Sequence, residues 1–194
     1  GHRLAMCDDE FSGLPDLSTQ VIIPRKAVNE LARLLSDSDS PLQLELSASH
    51  LRVNLNETTF TTKLIDGRFP DYERVMPTGV PQKMLSDRNL LRAALSRTAI
   101  LSNEKYRGIR FKLTSGLLHL QAHNPEQDEA EEELEVDYQG TDLTIGFNVS
   151  YLLDVLSVLD TEVVSVALTN ENASALITPP NSNECQYVVM PMRL

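Results

Sequence analysis

Tryptophan is absent from the 194 residues, aromatic residues make up only 5%, and cysteine occurs twice. Cys7 and Cys185 supply neither the number nor the CxxC pairing of a secreted disulfide framework or a metal knuckle, and are expected as buried, reduced thiols. No apolar run reaches the ~18 residues of a membrane span, and the N-terminus lacks the basic and apolar regions of a signal peptide. A cytoplasmic protein without membrane contact is expected. Basic residues are also scarce: 17 Lys and Arg stand against 28 Asp and Glu, a net charge of -11. That balance argues against gripping nucleic acid with a broadly basic surface, because such binding replaces phosphate counterions with Lys and Arg; local basic faces remain open. GxSxG, HExxH, Walker-loop and dinucleotide motifs are missing, so no catalytic residue, cofactor or metal is assigned. What is there, 41% hydrophobic and 23% charged residues, is ordinary globular composition at a length that suits one large domain or two small ones. A disordered tail or a miniprotein is excluded.

The hydrophobic pattern alternates between two periods. Helical spacing recurs three times: over Arg25–Leu35 behind Pro24, over Asp87–Thr98 with Ser86 or Asp87 as N-cap, and over Val149–Leu159 with Asn148 as N-cap. Ala27, Val28, Leu31, Leu34 and Leu35 share the first apolar face; Leu90, Leu91, Ala94 and Leu95 the second; Leu152, Leu153, Leu156 and Leu159 the third. The starts are roughly 60 residues apart, the signature of a structural repeat. Between them the period drops to two, as in half-buried antiparallel strands, in segments such as Leu42–Leu46, Leu51–Leu55, Phe60–Leu64, Ile109–Leu113, Leu117–Ala122, Leu134–Tyr138 and Leu143–Phe147. The last such segments are Val163–Leu168, Ser174–Ile177 and Tyr187–Met190. The expectation is an α+β protein of repeated strand-helix-three-strand units, helices on one face of antiparallel sheets. Ile65–Pro81, rich in Gly and Pro, is the expected boundary, giving an incomplete domain at 1–72 and a complete one at 73–194. The opening Gly1-His2-Arg3-Leu4-Ala5 reads as the interior of a folded segment, and an N-terminally truncated fragment is expected.

Several residue groups invite chemistry. His119 and His123 resemble a metal pair, but on a strand four residues separate them by roughly 13 Å, too far to share one zinc readily. The acidic run Glu126–Asp137 lacks the Gly of a calcium loop and reads as a solvated acidic strand or a charged contact surface. The first two helices carry basic polar faces, Arg25, Lys26 and Arg33 on one, Arg88 and Arg92 on the other, which suggest a local phosphate track. The terminal Tyr187–Leu194 reads as a last core strand, yet Pro191 cannot donate to a ladder, so the final residues are expected to leave the sheet and lie on a surface. Met-rich exposed surfaces bind peptides. A hydrolase built on Asp66 and Asp71 is the rival reading from another class, and needs two carboxylates in opposed environments. A peptide-binding scaffold without a DNA role is the other.

Gly1-His2-Arg3-Leu4, Pro24-Arg25-Lys26, Asp66–Tyr72, Ile100–Lys105, Asn124–Gln127, Gly146–Tyr151 and Tyr187–Leu194 occur in an order that closely resembles the bacterial DNA polymerase III beta subunit, the replicative sliding clamp family, over essentially the whole chain. The resemblance implies a DNA-clamp fold: three similar domains per protomer, two protomers joined head to tail as a ring around duplex DNA, with no catalysis by the clamp itself. It implies a peptide-binding pocket at Gly1, His2, Arg3, Leu4, Pro70, Arg74, Val75, Ser174, Val188, Val189, Met190, Pro191, Met192, Arg193 and Leu194. Its partners would be the polymerase catalytic subunit, the clamp loader and other clamp-motif proteins, through segments with Gln followed by spaced Leu and Phe. DNA-facing residues would be Arg25 and Lys26, to which helix periodicity adds Arg88 and Arg92. Ile100, Leu101, Glu126, Asp128, Glu129, Glu131 and Glu132 match the protomer interface of the full-length homodimer.

Overall fold

The computed structural model describes residues 1–12, 19–36, 40–77 and 82–193. Strand β1 (Arg3–Cys7) precedes helix α1 (Arg25–Leu35), which is followed by β2 (Gln43–Leu46), β3 (His50–Leu55) and β4 (Thr58–Lys63). After a 3-10 turn at Tyr72–Val75 come β5 (Gln82–Asp87), α2 (Arg88–Thr98), a second 3-10 turn at Ala99–Leu101, β6 (Gly108–Thr114), β7 (Leu117–His123), β8 (Glu129–Glu135) and the short β9 (Asp137–Tyr138). The last group is β10 (Leu143–Asn148), α3 (Val149–Val158), β11 (Val163–Leu168), β12 (Ala175–Thr178) and β13 (Cys185–Val189). Three rounds of strand, helix and three or more strands are thus observed. Part of the expected boundary (Thr78–Pro81), and Gly13–Ser18, lie outside the described residues.

Each helix begins where its sequence supplies a start. Asp87 accepts a hydrogen bond from Leu90 N–H at 2.8 Å and Asn148 from Ser150 N–H at 2.9 Å, satisfying amide groups that the first turn leaves open. Pro24 has no side-chain cap but its carbonyl accepts from Val28 N–H. Not every residue of the expected apolar faces is buried: Leu90 is 64% and Val28 48% exposed. Leu90 occupies the first turn of α2, beyond the part of that face which packs on the sheet through Leu91, Ala94 and Leu95.

The chain folds as two compact units, Phe11–Tyr72 and a second made of Gly1–Glu10 with Glu73–Leu194. In the smaller unit β2, β3 and β4 form an antiparallel sheet, and β3 buries every second residue, Leu51, Val53 and Leu55, as a strand with one wet face does. The larger unit has two sheets, ordered β1-β13-β12-β11-β5-β9 and β10-β6-β7-β8. Helices α2 and α3 pack on each other and on these strands, around a core containing Met84, Leu95, Phe111, Leu120, Tyr138, Phe147, Leu156 and Val189.

The lead strand of each round joins a sheet built by another round. Strand β5 pairs with β11, β10 pairs with β6, and β1 pairs with β13 from Arg3↔Val189 to Cys7↔Cys185. This last pairing overturns the expectation of buried, reduced thiols. Cys7 is exposed, Cys185 is half-buried, and they form a disulfide. The expectation rested on counting cysteines; two residues 178 apart in sequence become neighbours only through a strand pairing that composition does not reveal.

Candidate functional site

Strands β1, β13 and β12 lie side by side, and their pleat sorts the side chains into two sets. Ala175, Ile177 and Val189 belong to the core beneath the helices. The alternate set therefore points to the opposite face: Leu4 opposite Val188 opposite Leu176, with His2, Met190 and Ser174 the next alternate positions at one end and Met6 at the other. Leu4, Met6, Ser174 and Leu176 are half-buried, and Met190 is 43% exposed. Two consecutive strands near the end of the chain and one near its start thus present one mainly apolar strip. Val188, only 2% exposed, forms its floor, and Val189 faces inward. Leu176 and Met6 were missed by sequence reasoning, although the period of two along β12 and β1 was the signal that includes them.

The chain beyond β13 crosses from one sheet to the other. Met190 N–H donates to His2 carbonyl oxygen at 2.9 Å, continuing the β1 ladder, whereas Met192 N–H donates to Gly146 carbonyl oxygen on β10 at 2.8 Å. Pro191, which has no N–H to offer, sits between the two attachments. The tail thereby leaves the sheet where expected and becomes surface, with Pro191 and Met192 half-buried and Arg193 exposed; Leu194 lies outside the described residues. Arg3, on the helix side of β1, pairs with Asp154 and lies 4.6 Å from the centre of the Tyr151 ring. These two α3 residues were not anticipated. Of the remaining expected pocket residues, Gly1 is exposed before β1, Arg74 and Val75 are exposed in the first 3-10 turn, and Pro70 is exposed in the smaller unit.

The basic residues divide. Arg25 and Lys26 are exposed in the first turn of α1, which holds no acidic residue; positive charge there opposes the helix dipole, at roughly 0.3–1 kcal/mol each. Arg33 is engaged by Glu30 at 3.0 Å. Arg92 is exposed on α2. Arg88, by contrast, is half-buried and donates from Nη1 to the carbonyl oxygens of Leu156 (3.3 Å) and Leu159 (2.8 Å), with Nε buried and unpaired. It closes the C-terminal end of α3.

The acidic run is itself a strand. β8 is an outer strand of its sheet, with Glu129, Glu131, Glu133 and Glu135 exposed and Ala130, Glu132 and Leu134 turned toward α2. Glu132 is held by Arg97 through two hydrogen bonds, and that pairing lowers its pKa against the opposing effect of burial. Asp128 accepts from Asn124 Nδ2 in the preceding turn, and Glu126 is exposed there. Beside β8, Ile100 is 75% exposed while Leu101 is half-buried. His119 and His123 both fall on the exposed side of β7 and only His119 approaches a carboxylate, Glu131 at 3.7 Å. Among the described residues no cluster of three or more His, Cys, Asp or Glu is arranged to hold a metal, and no helix is long and apolar enough to cross a membrane. Asp66 and Asp71 are both exposed, so they do not have the contrasting environments that paired acid-base catalysis requires.

The state of Glu132 gives a pH prediction. A carboxyl whose folded pKa is lowered stabilises the fold above its ordinary titration range, and that contribution disappears as pH falls through the lowered folded value. Glu132→Gln should therefore be less stable than the parent at neutral pH, and the two urea midpoints should converge below about pH 4. A gap that persists at pH 2.5 would assign the loss to packing.

The helix-backed antiparallel sheets are those of the DNA-clamp fold. Two Pseudomonas aeruginosa crystal structures superpose with TM-scores of 0.96: a DNA polymerase sliding clamp with ligand, 56% identical, and a sliding clamp bound to griselimycin, 55% identical; this chain is covered completely, and 53% and 52% of those chains respectively. Residues 73–193 match the DNA polymerase III beta subunit, C-terminal domain, and residues 1–71 its central domain. The chain belongs to the DNA polymerase III beta subunit family. A Pseudomonas putida beta sliding clamp is 55% identical over all 194 residues, and the chain spans about half (53%) of that relative's length.

Proposed function

We propose that this chain is the central and C-terminal part of a sliding clamp, a non-catalytic processivity factor that encircles duplex DNA and tethers a polymerase and other partners through a peptide-binding face. The observation that carries the reading is the apolar strip Leu4, Val188 and Leu176 with Met190 at its end, assembled from three strands and bordered by the surface tail. Sites for peptides combine apolar lining with a few oriented polar groups, and methionine lets one surface accept related motifs. The strip supplies the first, and His2, Ser174, Arg74 and Arg193 the second. The polymerase catalytic subunit, the clamp loader and other clamp-motif proteins are the proposed occupants. Calorimetric titration with a short peptide carrying Gln followed by spaced Leu and Phe tests it: saturable one-to-one binding that competes with polymerase is expected, and no heat at high micromolar concentration rejects the face.

Net acidity fits this role. A closed ring retains DNA topologically, so a few salt-sensitive phosphate contacts suffice, and strong ones would slow sliding. Arg25, Lys26 and Arg92 are the proposed contacts, while Arg88 is assigned to holding α3. In a full-length clamp, replacing the first three by Ala should weaken DNA binding and flatten its salt dependence by about 0.9 logarithmic units per lost phosphate contact, with peptide affinity unchanged. Arg88→Ala should instead lower thermal stability. An unaltered salt slope in the triple variant would make these ordinary solvated charges.

The protomer contact is proposed at Ile100 and Leu101 beside the open edge of β8, with Glu126, Asp128, Glu129 and Glu131 at its charged rim. Glu132 takes part through its fixed pair with Arg97. Burying two aliphatic side chains contributes roughly 1.5–3 kcal/mol each, so Ile100→Asp with Leu101→Asp should convert a full-length dimer to monomers in sedimentation. A tight dimer in that variant rejects the assignment.

A further inference from the structure

Among the described residues the disulfide is reactive chemistry that the proposed function leaves unused. Cys7 ends β1 and Cys185 opens β13, directly opposite in the ladder. β1 is the outermost strand of its sheet, attached to it only through β13. Its five paired residues are flanked by hydrogen bonds from Met190 N–H to His2 and from Asp8 N–H to Glu184. At the N-terminal end Arg3 is tied to Asp154 by an exposed ion pair, an interaction of small net strength. At the other end the covalent bond is the principal tie. Cys7 is exposed, so an external thiolate can reach its sulfur. The same short strand carries Leu4 and Met6, with His2 just before it, one border of the apolar strip.

We propose that Cys7–Cys185 is a reversible dithiol–disulfide site that sets how firmly β1 is held, and through β1 the affinity of the peptide-binding face. The second half rests on the function proposed above; the first does not. The co-reactant is a dithiol reductant. One of its thiolates attacks Cys7 Sγ, forming a mixed disulfide as the Cys7–Cys185 bond breaks, and Cys185 leaves as a thiolate that takes up a proton. The reductant's second sulfur then attacks its own mixed-disulfide sulfur, and Cys7 is released and protonated. Two electrons and two protons pass to the pair, and the reductant ends as a disulfide. Disulfides in a compartment that keeps thiols reduced are usually transient or redox-sensing, and two cysteines do not make the framework of a secreted disulfide-rich protein. In the oxidised state the Cys7 end of β1 is pinned and its side of the strip is preorganised. In the reduced state the edge strand opens locally more often, and part of the peptide's binding free energy goes into ordering it.

The test uses the 194-residue chain equilibrated in mixtures of reduced and oxidised dithiothreitol. Alkylation and intact mass should show both thiols appearing together in one two-electron transition that reverses when the reductant is removed. Amide hydrogen exchange over Leu4–Met6 should quicken about tenfold or more on reduction, and the Gln-, Leu- and Phe-containing peptide should bind the reduced form about three- to tenfold more weakly. Cys7→Ser should behave as the reduced form in either buffer. Thiols that stay free under oxidising conditions, or identical exchange in both states, overturn the site. Equal peptide affinity in the two states, with exchange differing as expected, overturns its coupling to the face. If neither state binds peptide while thiols and exchange behave as expected, the redox site stands and it is the peptide-binding reading that fails.

Discussion

Deleting Met190–Leu194 should abolish peptide binding and leave the fold intact. The deletion removes Met190, 43% exposed at the end of the apolar strip, and Met192 and Arg193 on the adjoining surface. Two methionines that a peptide would cover contribute roughly 1.5–3 kcal/mol each, so the dissociation constant should rise by about a hundredfold or more. The structural loss is smaller. Two backbone hydrogen bonds disappear, Met190 to His2 and Met192 to Gly146, each worth about 1 kcal/mol net. Val189, which closes the core, and Val188, the floor of the strip, stay in the ladder with β1 and β12. Calorimetry paired with circular dichroism reads both halves of the expectation. Unchanged affinity in a protein with an unchanged spectrum would move the binding face elsewhere.

The local elements were legible because their signals are local. The three helices and most strands follow from period and caps, and two of the caps, Asp87 and Asn148, bond as their residue types suggest. The acidic run was harder to read: continuous charge hides the alternation of Ala130, Glu132 and Leu134 on the inner side of β8. Glu132 is half-buried there and is met by Arg97. What sequence reasoning could not reach is the exchange of lead strands. Period two says that Arg3–Cys7 can be a strand, but not that it joins β13 rather than the strands that follow it, since register depends on which apolar faces are left uncovered. The same limit applies to Arg88. Its spacing from Arg92 places both on one helix face, yet only the fold brings the end of α3 within reach of its guanidinium. Of the fifteen residues that the resemblance implies for a peptide pocket, His2, Leu4, Ser174, Val188 and Met190 fall at or just beyond alternate positions of three adjacent strands.

Reduction of the disulfide should lower the stability of the larger unit by several kcal/mol. Cys7 and Cys185 close a loop across a sequence separation of 178, and in the chain-entropy account a loop of that size stabilises the folded state by about 5 kcal/mol. The smaller unit, Phe11–Tyr72, lies inside that loop, and if it stays folded while the larger unit unfolds, the flexible loop is shorter. The dependence is logarithmic, so losing about a third of the loop changes the figure by only a few tenths of a kcal/mol. Residual structure in the unfolded chain cuts further, and about 2–5 kcal/mol is the expected range, equivalent to roughly 5–15 °C in melting temperature at this chain length. Scanning calorimetry of the oxidised chain, with and without a phosphine reductant, measures it. Cys7→Ser with Cys185→Ser should melt with the reduced parent and ignore the reductant, which separates loss of the cross-link from damage to β1. Coincident melting of the oxidised and reduced parent would mean that the edge strand is already open when the larger unit unfolds.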